Sequence, residues 1–202
     1  MKHIFCILIA SIFSLQSYAQ AIDSVSINLE DIQLRQTNFN KTAMISLNAW
    51  AVGNIAYGTV ANFQTTGEAK YFHQMNAIWN VVNLGIGIPG IIGAYKQRNQ
   101  MNFEQLYKSQ RKMETIYLVN AGLDVTYMTA GVASRLYANQ KTGTEYYRFK
   151  GYGSSLILQG GYLFAHDLAM YILLKTNTKL FDKEWKKVKL TSVGFGVTLK
   201  FL

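Results

Sequence analysis

The sequence predicts an all-α membrane protein: a four-helix transmembrane bundle after a cleaved signal peptide, with a short strand-like segment near the C-terminus. Three observations predict it. Half of the 202 residues are hydrophobic and only 15% are charged, whereas a soluble domain carries about a quarter charged residues. The apolar residues gather into four blocks of roughly 20 residues, the length that crosses a hydrocarbon core. The chain also opens with the layout of a secretory leader. The mean hydropathy of +0.05 hides this pattern, because it averages apolar blocks with Lys-rich connectors. The length allows one domain with a core large enough to fold without staples.

The leader is assigned to residues 1–19. Lys2 and His3 precede an apolar run from Ile4 to Leu15, and Ser17 and Ala19 supply the small residues of a cleavage site. That run is shorter than a spanning helix needs. Residues 20–41 form a polar mature N-terminal segment, residues 42–174 the four-helix membrane bundle, and residues 175–202 a basic amphipathic tail. Cys6 is the only cysteine and lies in the leader. The mature chain then has no thiol for a disulfide or a metal.

The blocks run from Thr42 to Phe63, Ala77 to Tyr95, Ile116 to Ser134 and Gly153 to Leu174. None is purely lipid-facing. Asn76, Asn80 and Asn83 share a face of the second helix; Trp50 and Asn54 align on the first, Asn120 and Asp124 on the third, and Gln159 and His166 on the fourth. A buried amide without a partner costs about 1–3 kcal/mol, so the stripes should face one another and hydrogen-bond. Two small-xxx-small pairs, Ala49 with Gly53 and Gly90 with Ala94, favour close helix contact. Pro89 should kink the second helix. Gly85, Gly87 and Gly90 spell G-x-G-x-x-G, but a dinucleotide site needs a preceding strand and a free helix N-terminus, which a mid-helix position denies.

The connectors carry interfacial signals. Phe103, Leu106 and Tyr107 lie beside Lys108, Arg111 and Lys112, and in the tail Phe181, Trp185 and Val188 lie among five lysines. Such a pattern fits an anionic lipid surface or a solvated basic tail. Topology signals conflict. Four spans place the N-terminus, the second connector and the tail on one Lys/Arg-rich side, which the charge rule makes cytoplasmic; a cleaved leader puts the same N-terminus outside. One alternative is an outer-membrane β-barrel, because Val193, Phe195, Val197, Leu199 and Phe201 alternate like a closing strand. The four blocks lack the two-residue alternation a barrel requires, and the inner membrane is favoured over the outer.

Several strings carry a resemblance: Tyr71-Phe72-His73-Gln74-Met75-Asn76 with Trp79-Asn80 and Val82-Asn83, then Asn120-Ala121-Gly122-Leu123-Asp124, then Gln159-Gly160-Gly161 leading to Asp167. The stretch from Arg35 to Leu174 resembles an uncharacterised family of small membrane proteins from Bacteroidetes-type bacteria, a domain of unknown function. The resemblance implies helices and a membrane location and lends no mechanism.

The net charge of +9 first suggests nucleic acid, but the basic residues flank the apolar blocks and no nucleic-acid module is visible; headgroup contact accounts for them better. Candidate polar-core residues are Asn54, Asn76, Asn80, Asn83, Asn120, Asp124, Gln159, His166 and Asp167. An ionisable group in a span is a functional suspect, which makes Asp124 the first choice, with Asn120 and an amide from another helix as partners. The competing reading is that Asp124 fixes helix register. Two histidines and two aspartates at unrelated spacings do not make a metal motif, and no Ser or Thr stands in a nucleophile elbow. The sequence therefore predicts no catalytic, cofactor or metal residue. It predicts a non-enzymatic membrane component that is structural, binds a protein partner or a second copy, or holds a small polar ligand. Proton, ion or solute transport through the Asn/Asp-lined core is one alternative; an intramembrane enzyme is another, and would need Asp124, His166 and Asp167 within one pocket.

Overall fold

The computed structural model describes the backbone of residues 2–96 and 101–193, and side chains from residue 29 to residue 182 apart from 97–100, 103, 177, 180 and 181. Four helices account for nearly all of it: α1 Lys2–Gln64, α2 Gly67–Lys96, α3 Phe103–Ala138 and α4 Gly143–Val193. Among the described residues there is no strand, which overturns the β-barrel alternative. The strand-like segment after Val193 lies outside the described residues, as do the side chains of the proposed leader.

The helices outrun the apolar blocks for a simple reason. No Gly or Pro stands between Lys2 and Val52, or between Tyr162 and Val193, so nothing in the backbone chemistry ends α1 early or stops α4 at residue 174. Both domain boundaries drawn from hydropathy, at 41 and 174, therefore fall inside continuous helices. The turns that do occur have clear causes. Gly67 and Gly143 sit at φ 59° and 58°, where an L side chain would be strained. Asn102 starts α3 with a reciprocal capping box, its side chain accepting from the Gln105 amide while the Gln105 side chain accepts from the Asn102 amide. Pro89 and the three glycines of the G-x-G-x-x-G string lie inside α2, with no free helix N-terminus there.

Among the described residues, two helices are long and apolar enough to cross a membrane, α2 and the Gly143–Thr176 part of α4. Of the four spans expected, these two helices alone reach that length and apolarity among the described residues. The blocks within α1 and α3 carry Ser46, Asn48 and Asn54, and Asn120 and Asp124, which lower their apolar character.

α1 lies along α2, α3 lies along α4, and the two hairpins join through α2 and α4; among the described residues α2 and α3 make no close backbone approach. Glycine sets the α3–α4 spacing. A Cβ on Gly153 would sit 2.5 Å from the Gly131 carbonyl oxygen, and one on Gly160 would sit 2.8 Å from the Asp124 carbonyl oxygen. Of the two small-residue pairs expected at contacts, Gly90 and Ala94 do pack, with the Met44 side chain over Gly90. Ala49 is exposed and Gly53 faces open space, so that pair makes no contact.

Polarity is inverted relative to a soluble domain. Asn76, Asn80, Asn83, Gln110, Glu114, Asp124, Ser155, Gln159, His166 and Asp167 are buried, while Val81, Val82, Ile86, Leu118, Val119, Ile172 and Leu173 are exposed.

Candidate functional site

Polar side chains form successive layers along the bundle. At the end holding the α1–α2 and α3–α4 turns, Arg135 of α3 pairs with Glu68 of α2 at 2.6 Å and also donates to Ser154 of α4. Ser154 in turn donates to Glu68 at 3.1 Å, so three helices meet there.

The next layer is built of amides. Asn76 Nδ2 donates to Asn54 Oδ1 at 2.5 Å, joining α2 to α1. Gln159 Nε2 donates to Asn76 Oδ1, and Trp50 Nε1 donates to Gln159 Oε1 at 2.9 Å. Asn80 turns back to the Asn76 carbonyl at 2.7 Å and its Oδ1 accepts from Asn83 at 3.1 Å. Asn54, Asn76, Asn80, Asn83 and Gln159 are thus one connected network. Each carboxamide can both donate and accept, which lets a chain of them satisfy itself without water.

The third layer centres on His166. Its Nδ1 lies 2.8 Å from Asp167 Oδ1 and its Nε2 lies 2.9 Å from Ser46 Oγ and 3.3 Å from the Ala43 carbonyl. Ser46 is the residue that sequence reading missed. A signal existed: Ser46, Trp50 and Asn54 step by four along α1, so Ser46 extends the polar stripe by one turn. The Ser–His–Asp connectivity matches a hydrolytic triad on paper, but two requirements go unmet. Ser46 does not line the cavity described below, and it sits in the interior of α1, where the backbone N–H groups are committed to the helix and cannot form an oxyanion hole. The arrangement is an interhelical lock between α1 and α4. Stacking reinforces it: the Trp50 and Tyr162 rings lie 3.8 Å apart at 6°, and Tyr162 stacks on His166 at 6.1 Å.

A fourth layer, also missed, closes the other end. Gln36 of α1 donates to Gln110 of α3 at 3.3 Å; Gln110 donates to the Leu174 carbonyl of α4 at 2.9 Å. Thr178 donates to Glu114, whose carboxylate also meets Arg111 at 3.1 Å and Lys175 at 3.7 Å. The polar side chains of this layer lie outside the apolar blocks, so hydropathy does not mark them. Arg111 is held more firmly protonated than usual by its hydrogen bond to the Tyr107 hydroxyl, with Glu114 adding to the effect. His73 lies apart from these layers, edge-on to Tyr57 at 5.3 Å and to Phe72 at 5.1 Å.

Where α2 and α3 stand apart, a cavity of about 480 Å³ opens between them, floored by α1 and α4. Asn83, Asn120, Asp124, His166 and Asp167 line it together with Trp79, Tyr117 and Tyr127. Five of the nine sequence-selected residues therefore reach one space, and the other four lie in the amide network. Asp124 is 3% exposed, and its Oδ2 is buried without a hydrogen-bond partner among the described residues. The hydrogen bonds expected from Asn120 and from an amide of another helix are not made among the described residues. No set of three His, Cys, Asp or Glu side chains suited to a metal ion occurs among the described residues.

The family model described as a family of unknown function (DUF6992) matches residues 46–168. The chain belongs to DUF6992. This DUF6992 match begins at Ser46 and ends just after Asp167, so it encloses the amide network, Ser46, His166 and Asp167, and most of the cavity lining, and excludes Gln36 and Thr178 of the fourth layer. No curated protein and no solved structure matches the chain.

Proposed function

We propose that this protein is a non-enzymatic integral membrane protein, its polar-cored helix bundle holding a small polar ligand in the cavity between α2 and α3. The observation that carries the reading is the inverted polarity. Many amides and carboxylates are inside and many branched aliphatic side chains are outside, an arrangement that water penalises and lipid favours. The two helices able to span belong to different hairpins, so each hairpin brings one strongly apolar helix. α1 and α3 would cross beside them with their polar stripes turned inward, completing four spans. The leader would be removed after Ala19, and the inner membrane is favoured. The exposed aliphatic surface would meet the bilayer, and part of it a protein partner or a second copy. Nucleic acid is no part of this reading.

The test is fractionation of cells expressing the full chain, with an alkaline carbonate wash and mass measurement of the N-terminus. The protein should stay in the washed inner-membrane fraction and start at residue 20. Recovery in the soluble fraction would end the membrane reading; an intact N-terminus would end the leader.

A second reading is transport of a proton, ion or small solute, favoured by the placement of Asp124 in the cavity wall. It requires that Asp124→Asn abolish a flux in proteoliposomes while the helical content is retained.

A further inference from the structure

We infer that the cavity between α2 and α3 is a binding site for a protonated organic amine with an apolar body, its ammonium group held by Asp124. This rests on the small-ligand reading above and names the ligand's chemistry.

The charge of the wall comes first. Asp124 and Asp167 line the cavity, and among the described residues no Lys or Arg does. Asp167 already has a partner in His166. The Asp124 Oδ2 accepts no hydrogen bond among the described residues, although the residue is 3% exposed. A buried carboxylate in this condition is costly, and a hydrogen-bonding cation removes the cost. The rest of the wall selects the kind of cation. Trp79 and Tyr127 meet edge to face, with centroids 4.9 Å apart at 75°, and Tyr117 lies on the same cavity. Aromatic faces attract an ammonium group, the more so when water is excluded. Met44, Leu47, Val82, Ile86, Met113 and Leu163 supply apolar surface. About 480 Å³ falls in the range of small-molecule sites and far exceeds the space of a bare ion. A metal ion would want converging ligands, and no triplet of acidic or His side chains offers them among the described residues. Finally, the Trp79 indole N–H is buried without an acceptor among the described residues, a second polar group that an occupant carrying an oxygen would satisfy.

The ammonium could arrive on a soluble amine or on an aminolipid headgroup entering between α2 and α3. The chemistry at Asp124 is the same in both cases.

The test is calorimetric titration of the full-length protein in detergent with three probes that share a phenyl ring on a short alkyl chain: phenethylamine, the neutral phenylpropanol and the anionic phenylpropanoate. Saturable binding of phenethylamine is expected, at least about tenfold tighter than phenylpropanol, since a charge-assisted hydrogen bond exceeds a neutral one by that much, and phenylpropanoate should not bind. Equal binding of amine and alcohol overturns the assignment of charge and leaves the small-ligand reading standing. Binding of none of the three, in protein that fractionates with membranes, overturns the assignment and leaves only the membrane part standing. Asp124→Asn should weaken phenethylamine about tenfold or more without affecting phenylpropanol, whereas Glu145→Gln, exposed in the first helical turn of α4, should change neither. Unchanged phenethylamine affinity in Asp124→Asn overturns the proposal. If that variant fails to fold, the comparison of probes on the wild-type protein still decides. In phosphatidylglycerol nanodiscs, loss of phenethylamine binding on adding phosphatidylethanolamine assigns the headgroup as the source, and retained binding assigns a soluble amine.

Discussion

One helix, α3, presents two opposite kinds of surface. Toward α4 it offers Gly131 and the Asp124 carbonyl, and the facing positions are Gly153 and Gly160, so backbone meets backbone. Toward α2 it offers Tyr117, Asn120, Asp124 and Tyr127, and the facing helix stands off to leave a cavity. Glycine permits the close approach, and rings hold the opposite side apart. Asp124 belongs to both surfaces, its carbonyl in the tight seam and its side chain in the cavity wall. The seam therefore positions the group that the cavity uses, and rigidity on one side of α3 sets geometry on the other.

The largest effect should come from filling the seam. Gly153→Leu places a side chain where even a Cβ would lie 2.5 Å from the Gly131 carbonyl oxygen, and helices of this kind do not part without losing their contacts. Folded yield in detergent should collapse. Gly122→Leu, at a position where an added Cβ would meet nothing within 4 Å, should give normal yield; equal behaviour of the two variants would break the contrast. Next comes the amide junction. Gln159→Leu removes the acceptor for Trp50 and the donor for Asn76, which should cost about 1–3 kcal/mol in detergent unfolding and shift Trp fluorescence. A smaller loss, about 1 kcal/mol, should follow Asn102→Ala, which deletes the capping box at the start of α3 far from both surfaces. The smallest effect belongs to Glu104, whose carboxyl is held below its ordinary range by a hydrogen bond from Lys108 and by the charge of that lysine. Its contribution is present above the ordinary carboxylate range and fades as pH falls through the lowered value. Because the pair is solvent-exposed, Glu104→Gln should leave the melting temperature at neutral pH unchanged within error.

Much of this was legible in the sequence. The spacing of Asn76, Asn80 and Asn83 gave a polar face because helix geometry turns a step of three or four into alignment, and Pro- and Gly-free stretches permitted long helices. Pairing was less legible. Which stripe meets which depends on hairpin packing, so Ser46 could not be joined to His166 by any local rule. The glycine seam was hidden by a choice of spacing: Gly153 and Gly160 are seven apart, while attention went to the four-residue pairs, one of which faces open space. The fourth layer escaped because Gln36, Gln110, Glu114 and Thr178 lie in segments whose polarity reads as connector. The bounds of α1 and α4 escaped for the same reason, since hydropathy marks where a helix leaves an apolar setting and says nothing about where its backbone ends.

The pairing of α1 with α2 and of α3 with α4 through turns of a few residues has a consequence for how the chain is assembled. If the chain lies in a membrane as proposed, each hairpin would bring one helix long and apolar enough to cross it, and that helix could carry its neighbour in as a unit. The bonds from Gln159 to Asn76 and from Arg135 to Glu68 run between hairpins and would then form only after both are inserted. A hairpin waiting alone would show its unpaired amides to lipid, which would make the isolated first half of the chain the natural client of whatever chaperones membrane insertion.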